Sequence, residues 1–101
     1  MIDRNLYSGL IRLHILHHAA EGPIFGQAMI DELGRHGYRL SAGTLYPILH
    51  GMERQGYLRS RLTQNAGRNR RVYRATSSGR KALVIGRKRV QELFGEMFEH
   101  D

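Results

Sequence analysis

Two groups of residues in this 101-residue sequence have the types and spacing to do chemistry. The larger is basic. From Arg54 to Arg89 there is no Asp or Glu, while twelve of the sixteen Lys and Arg residues fall in that window. The net charge is +7. A charge run is usually just a solvated face, but a window this long with one sign only points to a polyanion-binding surface. The second group is His14, His17 and His18, at i, i+3 and i+4. On a helix they share one face, and helical histidine pairs can bind zinc or nickel. The sequence has no cysteine, and the only acidic neighbours are Asp3 and Glu21. The expectation is therefore no resident metal, with histidines that line a subunit contact or respond to pH.

Other chemistry is absent from the pattern. The sequence holds no Gly-rich phosphate loop, no carboxylate pair in an apolar setting and no nucleophile motif. Ser41 and the histidines form no recognisable triad in sequence. The chain reads as a non-enzyme without a cofactor.

The elements that must position the basic residues follow from periodicity. Leu6, Leu10, Leu13 and Leu16 recur at helical spacing, which predicts a first helix over about Asn5 to Ala20. Glu21-Gly22-Pro23 should end it. A second helix fits Gly26 to His36, with Met29, Ile30 and Leu33 on one face and Gly37 as its stop. Ser41 is placed to cap a third helix with its hydroxyl. Leu45, Ile48, Leu49 and Met52 form its inward stripe, Pro47 should distort its start, and Gly56 should end it. The period then changes to two. Leu58 to Leu62 reads as a strand, Asn65 to Asn69 as a turn and Arg71 to Ala75 as the returning strand. Thr76 or Ser77 can cap a last helix reaching about Glu99. The fold class is mainly α with a small β-hairpin. Three helices and a basic hairpin make a winged helix-turn-helix over residues 1–75, followed by a long C-terminal dimerisation helix over 76–101.

With that layout in place, several motifs resemble those of PadR-type regulators. Gly43-Thr44-Leu45-Tyr46-Pro47-Ile48-Leu49 followed by Met52-Glu53-Arg54-Gln55-Gly56-Tyr57-Leu58 is similar to their TLYPxLxxLExxGLI signature. Gly67-Arg68-Asn69-Arg70-Arg71-Val72-Tyr73 resembles their GRxRxxY wing, and Ala75-Thr76-Ser77-Ser78-Gly79 their LTxxG segment, with Ala for the usual Leu. Glu21 to Gly26 resembles the start of EGPLHGYEI, with Phe25 and Gln27 replacing His and Tyr. The resemblance spans about Leu6 to Leu83. It implies a dimeric repressor of the short branch, in which the last helix packs on the partner subunit.

In the third helix, Ser41, Thr44, Tyr46, Pro47 and His50 fall off the inward stripe. Hydroxyls there can hold phosphate, and Thr44 or His50 can reach base edges. The alternative is that Tyr46 packs on the scaffold and Thr44 caps the helix. In the wing, Arg68, Arg70 and Arg71 are the candidate DNA contacts, with Arg68 and Arg70 suited to a narrow minor groove. Leu83, Val90 and Met97 stand seven apart with Leu93, Phe94 and Phe98 beside them. With Leu6 and Leu10 they form the predicted dimer contact. Arg87-Lys88-Arg89 reads as solvated charge.

The expected protein is thus a homodimeric repressor that binds a near-palindromic operator in double-stranded DNA. A small-molecule effector between subunits would release it. Some short PadR proteins bind flat aromatic molecules there, but this chain has no tryptophan to sandwich one; Phe94, Phe98 or Tyr7 would have to substitute. The alternatives are a winged-helix protein-interaction module with an acidic partner, or a non-specific nucleic-acid binder. No signal-peptide core or apolar run of membrane-span length is present, so a cytoplasmic, non-membrane protein is expected.

Overall fold

The computed structural model describes residues 3–65 and 67–99. Helix α1 runs Arg4–Glu21, and the two-residue strand β1 (Ile24–Phe25) leads directly into α2 (Gly26–Arg35). Then follow α3 (Ala42–Arg54), the hairpin β2 (Leu58–Asn65) and β3 (Arg68–Ala75), and α4 (Ser77–Phe98). The sheet is antiparallel with order β1-β3-β2. This is the expected winged helix-turn-helix with a long last helix, enlarged by one strand. Periodicity cannot reveal β1, because two residues carry no period; Ile24 and Phe25 pair with Tyr73 and Val72.

The two helices of the helix-turn-helix stop in the same way. At the end of α2, Tyr38 N–H donates to the Leu33 carbonyl (2.9 Å) and Gly37 N–H to Gly34 (3.1 Å). At the end of α3, Tyr57 N–H donates to Met52 and Gly56 N–H to Glu53, both at 2.9 Å. Gly37 and Gly56 take φ of 90° and 87°, a left-handed conformation that closes each Schellman motif without a Cβ penalty. Each stop frees the chain to change direction at a fixed point, which sets α3 relative to α2 and the wing relative to α3.

The start of α3 departs from expectation. Ser41 occupies the N-cap position, but its side chain makes no capping bond. Its hydroxyl instead lies 3.4 Å from Thr44 Oγ1. Pro47 sits inside the helix without interrupting it. Its ring removes one backbone donor, yet the flanking Leu45 and Leu49 are fully buried, and that packing holds the helix through the gap.

One core joins all parts of the head. It contains Ile11, Ile15, Leu16 and Ala19 of α1, Met29 and Leu33 of α2, and Leu45, Leu49 and Met52 of α3. Leu58 and Tyr73 close it from the sheet. The α1 stripe read from leucines is therefore not its core face. Only Leu16 of that stripe is buried, while Leu6 and Leu10 are exposed and Leu13 turns toward α4. Helix α1 carries two apolar faces, and the leucines mark the second.

Tyr73 illustrates the cost of a polar atom in this core. Its side chain is 0% exposed and its hydroxyl has no hydrogen-bond partner among the described residues. Burial, and then the nearby Glu53 carboxylate, push its pKa up. An unsatisfied buried hydroxyl costs free energy that a phenyl ring does not. Tyr73→Phe is expected to raise unfolding stability by about 1 kcal/mol in urea denaturation. A loss of stability instead would mean that the hydroxyl is hydrogen-bonded in solution.

The first turns of α4 are locked to the head. Thr76 Oγ1 accepts from Gly79 N–H at 2.9 Å, which selects Thr76 over Ser77 as the cap, and Thr76 N–H donates to the Tyr57 carbonyl at 3.0 Å. Farther along, Gly86 lets the Leu13 side chain approach so closely that a Cβ would stand 2.6 Å from it. Beyond that crossing α4 leaves the head. The Cα radius of gyration is 14.6 Å, against about 13 Å for a compact chain of 100 residues. The projecting helix and wing account for the difference.

Candidate nucleic-acid interface

Helix α3 buries one side and presents another. Ser41, Pro47 and His50 are exposed on it, and Thr44 is half-buried. Thr44 Oγ1 accepts from the Arg4 guanidinium of α1 at 2.8 Å. Arg4 therefore lies at the start of α3, where a cation can meet a phosphate that the helix N-terminus also attracts. Sequence reasoning missed Arg4, because forty residues separate it from Thr44 and only the packing of α1 brings them together. Tyr46 is half-buried and turned toward the body. A Cβ added at Gly26 would lie 2.1 Å from its hydroxyl oxygen. Tyr46 thus packs on the start of α2, the scaffold alternative. Its ring lies 6.3 Å from that of His50 and flanks that exposed imidazole.

The wing is longer than expected. Pairing extends from Leu58↔Ala75 to Asn65↔Arg68, so both strands run into the segment read as a turn. Of that segment, Ala66 lies outside the described residues. The alternation seen in sequence ends at Leu62, which is 61% exposed. There the hairpin has passed the edge of the core, and no apolar partner remains for the inward position.

Register sorts the arginines. Directly opposed residues share a face. Arg59 opposes Arg74, Arg61 opposes Val72, Thr63 opposes Arg70 and Asn65 opposes Arg68. Five arginines therefore line one face of the hairpin: Arg59, Arg61, Arg68, Arg70 and Arg74. Like charges placed opposite each other, as Arg59 and Arg74 are, disfavour folding. Such an arrangement makes physical sense where an anionic partner neutralises it. Arg70 is drawn back over the Phe25 ring, 5.2 Å from its centroid. Arg68 is left exposed beside Gly67 as the outermost cation of β3.

Arg71 lies on the opposite face. Its guanidinium donates to Ser60 Oγ at 3.1 Å. Ser60 in turn donates from its backbone N–H (3.1 Å) and hydroxyl (2.8 Å) to the Glu53 carboxylate on α3. This chain of bonds fastens the foot of the wing to the end of α3. Glu53 was not among the residues singled out from sequence. Its signal was its place as the last acid before the basic window. Of the predicted contacts, the structure thus places Ser41, Thr44, Pro47 and His50 along α3 and Arg68 at the wing end. It ties Arg70 to β1 and Arg71 to α3.

Residues 15–84 match the Transcriptional regulator PadR-like family. The chain belongs to that family. It is 50% identical over 94 residues to the transcriptional regulator Rv3488 of Mycobacterium tuberculosis, covering 93% of this chain and 88% of the relative. Among solved structures, it resembles a PadR family transcriptional regulator from Eggerthella lenta, with a TM-score of 0.78 and 29% identity over 96% of this chain and 88% of the other. A PadR-like transcription factor from Bacteroides fragilis superposes with a TM-score of 0.80 at 23% identity, covering 95% and 93% of the two chains, and shows the shared fold. This PadR-like protein is accordingly a transcriptional regulator and not an enzyme. No helix among its described residues is long and apolar enough to cross a membrane.

Proposed function

We propose that this PadR-like protein is a cytoplasmic, homodimeric repressor that binds a near-palindromic operator in duplex DNA. The observation that carries this reading is the bracing of the wing. The bonds from Glu53 through Ser60 to Arg71 hold a five-arginine hairpin beside the exposed side of α3. An α3 of 13 residues suits the major groove, and the wing arginines suit the adjacent backbone or minor groove. Residues 1–75 would form the reading head and 76–101 the dimerisation helix. Along α4, Val90, Leu93, Phe94, Met97 and Phe98 are all exposed, an apolar row that favours a partner copy over water. Leu83 differs from them, since it packs partly on the head's own core. A groove between α1 and α4, lined by Leu10, Leu13, Leu83, Val90 and Phe94 and by the polar His14, His17, Arg87 and Gln91, lies on that same side and suits an effector with both apolar and polar groups. Such a ligand would release DNA only by favouring a dimer geometry that separates the two reading heads wrongly.

The test is selection of bound duplexes from genomic DNA at physiological salt, followed by affinity measurement. A near-palindromic winner should bind at least about 10³-fold tighter than scrambled duplex. Equal, salt-sensitive binding to all duplexes would overturn sequence-specific regulation in favour of non-specific binding. Absence of DNA binding would leave the basic face to an acidic protein. On the selected operator, Arg68→Ala should weaken binding across sequences and reduce the salt slope by about one. An unchanged slope would remove Arg68 from the contact.

A further inference from the structure

The end of α1 carries a cluster that neither the wing nor the apolar row uses. His17, His18 and Glu21 present ligand atoms that all lie within 4.8 Å of one another. The Glu21 carboxylate faces both rings. One oxygen is 3.5 Å from His17 Nε2 and the other 3.7 Å from His18 Nδ1. Two ligand atoms held at about 2.1 Å by one tetrahedral zinc stand roughly 3.4 Å apart. A small side-chain adjustment would therefore close these pairs on an ion. The i, i+3 and i+4 spacings put all three residues on the last turn of α1, where the backbone already fixes them.

A second observation is independent of that spacing. The other nitrogen of His18, Nε2, lies 3.4 Å from Glu32 Oε2 on α2. A metal-ligating histidine usually gives its second N–H to a carboxylate, which fixes its tautomer and orientation. Glu32 is prepared for that part. Arg35 Nη2 donates to its Oε1, which holds the carboxylate in place beside His18. His36 Nε2 is 2.9 Å from Glu32 Oε2.

We propose that His17, His18 and Glu21 form a divalent-metal site of the zinc class, with Glu32 orienting His18 from α2. Two imidazoles and a carboxylate suit zinc, nickel or cobalt, and the absence of cysteine gives no preference for softer ions. Three protein ligands leave a fourth position for water or a further ligand. The site stands at the junction of α1 with α2, the first helix of the helix-turn-helix. Occupancy would stiffen the link between the face of α1 that meets α4 and the reading head. That regulatory consequence rests on the DNA-binding reading above; the metal site does not.

The experiment is calorimetric titration of untagged, chelator-stripped full-length protein with zinc chloride at neutral pH. One ion per chain is expected. Glu21→Gln and His17→Ala should each weaken binding at least about tenfold, and Glu32→Gln, which removes no ligand, by about tenfold. Glu92→Gln, on α4, should leave the affinity unchanged. Glu21 and His17 are exposed, so their replacement leaves the core intact, which far-UV circular dichroism would verify. Cobalt in place of zinc should give the visible absorption of a four-coordinate ion, lost in Glu21→Gln. No saturable binding, or affinity indifferent to Glu21→Gln and His17→Ala, would overturn the site. Because the readout involves no DNA, failure of the operator experiment and failure of the metal site are separately visible.

Discussion

Replacing Gly79 by alanine is expected to cost this protein about 3 kcal/mol or more of unfolding stability. The reason is space and not backbone conformation. A Cβ at Gly79 would stand 2.2 Å from the Tyr57 carbonyl oxygen, 3.1 Å from its carbonyl carbon and 3.2 Å from Leu16 Cδ1. The Tyr57 carbonyl cannot retreat freely, since it accepts from Thr76 N–H and belongs to the turn that ends α3. The methyl group must therefore push α4 off the head. A domain of this size has a total stability of only about 5–15 kcal/mol, and the melting temperature should fall on the order of 15 °C. Gly9→Ala is the matched control. Gly9 lies inside α1 with nothing within 4 Å of an added Cβ, so alanine there should stabilise by about 0.5–1 kcal/mol. Equal melting temperatures for the two variants would show that the close approach of α4 to Tyr57 is not maintained in solution.

Phe94→Asp is expected to dissociate the proposed dimer without unfolding the head. Phe94 is half exposed, its ring 5.1 Å from that of Phe98, and nothing in the head's core depends on it. A carboxylate in the middle of an apolar contact between two helices is desolvated without a partner, which costs several kcal/mol when buried. Sedimentation at micromolar concentration should then give a species of 11.6 kDa, where the unmodified protein should give about twice that mass. Operator affinity should fall about 10²-fold or more, because two half-sites no longer act through one linked molecule. Helical content by circular dichroism should be retained. A monomeric wild-type protein, or a Phe94→Asp variant that still sediments as a dimer, would remove α4 from the subunit contact.

Much of this protein was legible in its sequence because the signals are local. The inward stripe of α3 recurs every three or four residues, and Leu45, Leu49 and Met52 are buried as that spacing demands. Gly37 and Gly56 mark helix ends because only the residue without a Cβ adopts a left-handed stop at no cost. Thr76 caps α4 through a bond three residues away. The acid-free window from Arg54 to Arg89 fixes the sign of the wing's charge without any knowledge of the fold.

What the sequence left open depends on residues that are distant along the chain. Periodicity could not say which of two apolar faces of α1 is the core, since Leu6 and Leu10 have the same spacing as buried positions; contact with α2, α3 and the sheet selects Ile11, Ile15 and Ala19. Wing arginines look alike in sequence, and only strand register separates Arg59, Arg61, Arg68, Arg70 and Arg74 from Arg71. Arg4 meets Thr44, and His18 meets Glu32, only because α1 lies across the helix-turn-helix. The sequence by itself determined the four helices, their ends, the presence of the hairpin and the sign of the surface, all of which are set within a few residues; β1 and the outer pairs of the wing escaped it. The tertiary structure decided which faces are buried, which arginines share a face of the wing and that His18 meets Glu32. Those depend on contacts between segments tens of residues apart, and no local pattern encodes them.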